Sequence, residues 1–219
     1  MRKIILLVFT LSSYLFFAQV NSDRVNVSGD LIYAQRFYAN SFYDQLSRTN
    51  SLTFNTPPRY VGLQQSGTTP FKKLSNKYQS YAFSISQMIP INITLNDTLK
   101  AKLTGCNFGL PLYGYDLLRN QKNIDLIIMT GANVGRLRIY DNKLVRSKNA
   151  YFSPKGTLVL RITIKKIVLS FLGEYDRDIS SGKWKKLKYG SENTISPNSF
   201  YQSAYSFSIG LGYKLNTDM

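Results

Sequence analysis

The feature that most narrows what this chain can become is a strict two-residue period at its C-terminal end. Tyr205, Phe207, Ile209, Leu211, Tyr213 and Leu215 alternate with Ser206, Ser208, Gly210, Gly212 and Lys214. Successive side chains of a strand point to opposite faces, so one face here is wholly apolar and the other small or polar. The pattern recurs. From Tyr81 through Phe83, Ile85, Ile89, Ile91, Ile93 and Leu95 the apolar residues again take alternate positions, with Gln87 the one polar interruption. Leu158, Leu160, Ile162 and Ile164 follow the same rule, and so do Ile167, Leu169, Phe171 and Tyr175. The 16 Tyr and 13 Phe of the chain are strand formers of the same kind.

The third and fourth segments allow a test of register. If Lys165-Lys166 is a two-residue turn, Ile164 faces Ile167, Ile162 faces Leu169, Leu160 faces Phe171 and Leu158 faces Gly173. Both apolar sets then fall on one side of the sheet, and a slip of one residue would destroy the match. Arg161 faces Ser170 and Thr157 faces Glu174 on the other side.

Less regular strands fill the remainder. Val25, Val27, Leu31, Tyr33 and Phe37 alternate, although residues 31–46 also fit a helical period. In residues 99–114 the apolar parity changes between Leu103 and Phe108, which predicts a bulge near Gly105. A similar shift is expected near Gly135 in residues 124–140. Pro90 lacks an amide hydrogen, so either it lies beyond the apolar band or the strand ends there.

The predicted strands are eight: 24–37, 58–66, 79–95, 99–114, 124–140, 153–164, 167–178 and 200–215. With the amino terminus inside, Lys165-Lys166 and residues 117–123 are inner turns, while 38–57, 141–152 and 179–199 are outer loops. The long 67–78 turn and the short 96–98 loop break that asymmetry, and a miscounted strand, ten in place of eight, would account for them. The face opposite the apolar one is mainly Ser, Ala, Gly and Thr, whereas a soluble sandwich carries Lys and Glu there. An all-β, antiparallel transmembrane β-barrel is therefore expected, with Tyr81, Tyr175, Tyr205 and Tyr213 as interfacial aromatics. The competing architecture is an exported soluble β-sandwich or lipocalin-like barrel.

The amino terminus supports export. Met1-Arg2-Lys3 precedes an apolar stretch ending at Phe17-Ala18, too short for a bilayer-spanning helix and suited to a signal peptide over residues 1–18, with the barrel domain over 19–219. The 219-residue chain has 28 basic and 12 acidic residues, a net charge of +16. Cleavage removes Arg2 and Lys3 and no acid, which leaves +14. Outside the cytoplasm such a charge points to anionic lipid, not nucleic acid.

Composition excludes several chemistries. With no histidine there is no Ser-His-Asp or Cys-His pair and no His-ligated metal, and the lone Cys106 can form no internal disulfide. No cofactor, metal or catalytic residue is expected, and Cys106 is expected to be a buried small hydrophobe. Gly131-Ala132-Asn133-Val134-Gly135 lacks the lysine and helix of a phosphate loop.

Phe17-Ala18-Gln19, Tyr113-Gly114-Tyr115-Asp116-Leu117-Leu118 followed by Asp125-Leu126-Ile127, and the closing Phe207 to Leu215 strand resemble the small outer-membrane β-barrel proteins of Gram-negative bacteria. The resemblance implies the cell outer membrane, a monomer, the barrel-assembly machinery as a partner during biogenesis, and no reaction. Such chains usually end on an aromatic residue, whereas this one adds Asn216 to Met219.

Two sets of residues are candidate sites. Asp125, Arg161 and Glu174 project to the expected interior, joined by Arg136 and Arg138 after the Gly135 shift, as a charge network. Arg161 and Glu174 are four rungs apart, roughly 13 Å at about 3.3 Å per residue, so Glu174 needs another arginine. In the outer loop Lys183, Trp184, Lys185, Lys186, Lys188 and Tyr189 form a basic and aromatic cluster suited to lipopolysaccharide phosphates or an acidic partner. The function expected is that of a structural or interaction barrel with a mostly plugged interior. The alternative is a narrow pore or lipid/small-ligand transporter, and an enzyme acting on lipid A or peptides ranks last.

Overall fold

Eight strands each pair with a neighbour on both sides and close the sheet into a ring. A computed structural model describes residues 26–38, 57–70, 78–95, 99–118, 123–141, 144–180, 185–186 and 203–216. The expected signal peptide lies outside the described residues. In chain order the segments are β1 (Asn26–Tyr38), β2 (Arg59–Pro70), β3 (Tyr78–Met88), β4 (Ile91–Leu95), β5 (Leu99–Asp116), β6 (Ile124–Asp141), β7 (Leu144–Ile164), β8 (Ile167–Asp176), β9 (Lys185–Lys186) and β10 (Ala204–Asn216). Neighbours run β3, β2, β1, β10, β8, β7, β6, β5 and back to β3. All pairings are antiparallel, and β1 joins β10 from Asn26 opposite Asn216 to Tyr38 opposite Ala204. The protein is a closed antiparallel barrel of eight walls, as the alternation predicts. β4 continues the β3 wall along β5 after a break at Ile89-Pro90, where the proline can donate no ladder hydrogen bond.

The β7–β8 hairpin has the register read from the sequence, with Ile164 opposite Ile167, Leu160 opposite Phe171 and Leu158 opposite Gly173. Lys165, at the first turn position, takes φ 57°, the left-handed backbone that a primed two-residue hairpin turn requires. Even-numbered residues of β10 face the lumen as Ser206, Ser208 and Gly210, while Tyr205, Phe207, Ile209, Leu211 and Tyr213 stand exposed on the outside. Residues 26 to 38 are strand, which resolves the helix-or-strand ambiguity for that part of 31–46; the rest of that range lies outside the described residues.

Five expectations need correction. Residues 141–152 are not an outer loop: β6 and β7 pair up to Asp141 opposite Leu144, so the connection is only 142–143. The parity of β6 is unbroken at Gly135, with Asp125, Ile127, Met129, Asn133, Leu137 and Ile139 all buried. The β5 irregularity lies between Gly109 and Tyr113, not at Gly105, and Pro111 supplies the reason because it cannot donate to the ladder. Leu103 thus faces inward, and Cys106 is half-buried on the outer side, not a core hydrophobe. Finally, β2 runs to Pro70, which shortens the long 67–78 turn to 71–77.

Close packing of walls is enforced by glycine at one position in particular. A Cβ on Gly62 would collide with the backbone of Ile85 and Ser86 on β3, which cannot move without parting the strands. At Gly173 nothing lies within 4 Å of the added carbon. Gly62→Ala is expected to destabilise the barrel by about 1–3 kcal/mol, while Gly173→Ala stays within about 0.5 kcal/mol. Urea unfolding in lipid vesicles, followed by loss of the compact heat-sensitive gel species, checks both.

Candidate functional site: the lumen and the outer rim

The lumen is filled in alternating polar and apolar levels. Its register on the β7–β8 hairpin fixes their order: Arg161 with Ser170, then Val159 with Leu172, then Thr157 with Glu174, then Lys155 with Asp176. At the first level Arg161 Nη2 donates to Ser66 Oγ at 2.6 Å, and Ser66 Oγ lies 3.0 Å from Ser28 Oγ. β2 and β7 stand four walls apart in a ring of eight, so this bond crosses the whole lumen. Asp125, directly opposite Arg161 on β6, places Oδ2 3.8 Å from Nη1. Ser170 donates to Asp30 Oδ2 at 3.0 Å.

Above this level lies an apolar cluster of Ala82, Leu112, Ile127, Met129, Val159 and Leu172. The next level holds the strongest ion pairs. Lys155 Nζ donates to Glu174 Oε1 at 2.6 Å, and Thr157 and Ser206 donate to the same carboxylate at 3.3 and 3.1 Å. Arg36 Nη2 donates to Asp176 Oδ1 at 2.7 Å, while Asn133 donates to Oδ2 at 3.0 Å. The Arg36 guanidinium also lies 5.6 Å over the Tyr151 ring. Beyond these groups Met88, Leu103, Leu137 and Ile139 are fully buried. A small cavity of about 30 Å³, lined by Ile32, Arg36, Gln64, Lys155 and Glu174 among others, has room for one or two waters. Gln64 Nε2, buried with no protein acceptor, lines it.

The sequence-predicted site residues therefore divide. Asp125, Arg161 and Glu174 face the lumen, but in two levels, with Arg161 near Asp125 and Glu174 held by Lys155. The partner of Glu174 is a lysine, not the arginine expected. Lys155 and Asp176 were legible from the hairpin register and Arg36 from the β1 alternation, since each occupies a lumen-facing position. Arg136 and Arg138 are a correction: without a parity shift at Gly135 they face outward, and Arg136 is exposed. Of the outer-loop cluster, Lys185 and Lys186 form β9 against β7, with Lys185 opposite Lys148. Lys183, Trp184, Lys188 and Tyr189 lie outside the described residues. Among the described residues no group of carboxylates and cysteine is arranged to hold a metal ion.

No family model matches the chain, and no curated protein matches it. Among solved structures it is similar to the outer membrane protein OprG from Pseudomonas aeruginosa, at 11% identity over 88% of this chain and 96% of that one, with a TM-score of 0.49. It is similar also to Ail, the attachment invasion locus protein of Yersinia pestis, at 11% identity, 87% and 97% coverage and a TM-score of 0.48. Neisserial surface protein A gives 9% identity, 87% and 96% coverage and a TM-score of 0.44.

Removing one member of a buried ion pair leaves the other charge without compensation, whereas removing both does not. Asp176→Leu is expected to cost about 3–5 kcal/mol, and Arg36→Met with Asp176→Leu to cost less than Asp176→Leu alone. Equilibrium unfolding of the two variants in the same vesicles decides it.

Proposed function

We propose that this chain is an exported outer-membrane β-barrel with a closed interior, a structural or interaction protein that works through its surface and not as a pore or an enzyme. The observation that carries the reading is the outer face. Leu31, Tyr33 and Phe37 on β1, Tyr205 to Tyr213 on β10, Phe171 and Tyr175 on β8, and Leu158 and Leu160 on β7 are all exposed and adjacent, with Phe207 65% and Leu211 58% accessible. A soluble protein does not leave a contiguous apolar surface of that extent in water. In hydrocarbon the same surface is the favourable one, and a closed antiparallel ladder satisfies every wall's backbone without water.

The span of that surface fits a bilayer. Tyr213, beside the Lys165-Lys166 turn with Lys166 Nζ 5.9 Å from its ring, and Tyr205, stacked at 4.8 Å on Tyr175, are the aromatic limits of the β10 face. They are eight residues apart, roughly 27 Å along the strand and about 20 Å across the membrane at the usual tilt. The basic start and apolar stretch of residues 1–18 are the export signal consistent with this location. Inside, the lumen-crossing Arg161–Ser66 bond and the apolar level above it oppose a conducting path. The interior acids and bases are bonded to one another, and there is no histidine for general acid or base work.

Membrane fractionation should recover the protein in the outer membrane with heat-modifiable gel migration; recovery as a soluble periplasmic protein overturns the barrel. In planar bilayers the wild type is expected to be silent, and Arg161→Ala and Glu174→Ala to remain so. A steady single-channel current through the wild type would instead establish the pore.

A further inference from the structure

We propose that Lys102, Arg136, Arg138 and Lys148, on the outer face of the stretch where β5, β6 and β7 rise beyond the apolar band, bind the phosphate groups of a membrane glycolipid in the adjoining leaflet. This rests on the membrane reading above. Arg138 stands opposite Thr104 on β5 and opposite Lys148 on β7, and Lys148 in turn stands opposite Lys185 on β9. Three adjacent strands thus carry a cation at one register position. Arg136 follows two residues nearer the band, opposite Cys106 and Ala150, and Lys102 stands opposite Tyr140. Directly opposed like charges destabilise a sheet. An anion seated against such a row would offset that repulsion.

The protein itself supplies none among the described residues. The lumen cations Arg36, Lys155 and Arg161 each have a carboxylate within 4 Å, but Lys102, Arg136, Arg138 and Lys148 have none, and the described outward positions around them are Thr104, Cys106, Tyr140 and Ala150. Arg138 Nη1 donates to the Tyr140 hydroxyl at 3.1 Å, which fixes the guanidinium and leaves its other donors for a ligand. A planar guanidinium matches two oxygens of a phosphate, and a neighbouring lysine adds a point charge to the third.

Position selects a lipid over a soluble polyanion. Phe108, Val134 and Phe152 form one register row across β5, β6 and β7, each more than a third exposed, and this row is the upper margin of the apolar surface on these walls. Arg136 and Arg138 lie two and four residues beyond it, about 7 and 13 Å along the strand. A ligand with acyl chains below and phosphates above meets both the apolar row and the cations. A soluble polyanion meets only the cations.

The test uses the full-length chain folded in neutral detergent micelles, titrated with diphosphorylated lipid A, with lipid A freed of phosphate, and with inositol hexaphosphate. Arg138→Gln/Lys148→Gln and, independently, Lys102→Gln/Arg136→Gln are compared with Lys165→Gln/Lys166→Gln at the opposite end of the barrel. Diphosphorylated lipid A is expected to bind, with affinity falling roughly ten-fold or more in either rim variant or on loss of phosphate, and unchanged in the turn variant. Equal binding of the phosphate-free lipid, or of both rim variants that keep heat-modifiable migration, overturns the site. Tighter binding of inositol hexaphosphate than of the lipid overturns the lipid as its occupant. A protein that fractionates with the membrane and shows no phosphate preference defeats this inference alone, whereas one found soluble defeats the membrane reading first.

Discussion

The pairing of β1 with β10 is the contact on which everything else depends. It joins the first described strand to the last, and without it both would present a row of unpaired N–H and C=O groups to whatever surrounds the sheet. In hydrocarbon each such group costs several kcal/mol, so a sheet with an edge is not a viable spanning structure while a ring is. The small residues of β10, Gly210 and Gly212, face Ile32 and Asp30 across this seam, so the walls close without bulky side chains crowding the lumen. Closure then fixes which side of each strand faces outward and which faces the interior.

The interior answers a second constraint, that polar groups cut off from water need partners. An eight-walled ring leaves just enough space for side chains to fill. This one divides the space by chemistry: Arg161 with Asp125, Ser66 and Ser28 at one level, Lys155 with Glu174 and Arg36 with Asp176 at another, and aliphatic side chains between and beyond. Each of these cations has a carboxylate within 4 Å. The apolar level of Leu112, Ile127, Val159 and Leu172 separates the two networks.

The sequence displayed the walls well where one face is apolar and the other small. Lys165-Lys166 and the residues on either side of it gave the register of β7 and β8 without error, because a one-residue slip would have reversed Phe171, Leu160 and their neighbours. Reading failed where the lumen itself is apolar. Leu103, Leu137 and Ile139 point inward, so counting every aliphatic residue as lipid-facing created false parity shifts at Gly105 and Gly135 and turned Arg136 and Arg138 inward. The true irregularity carried a visible sign in Pro111, which has no amide hydrogen for the ladder. Likewise the Glu174 partner was readable from the hairpin, since Lys155 occupies a lumen position two residues from Thr157, but a search confined to arginines passed over it.

The apolar interior also hides the outer rim in the sequence. Once β6 keeps its parity, the cations of β5, β6 and β7 gather on one outer surface, where these three walls extend beyond Phe108, Val134 and Phe152. Beyond that row the outward positions change from apolar to mostly positive, with no acid among those described. Buried cations of the lumen are matched one by one because desolvation leaves no alternative. Exposed cations of the rim are under no such demand, since water screens them. Their unbalanced sign is therefore not required by folding.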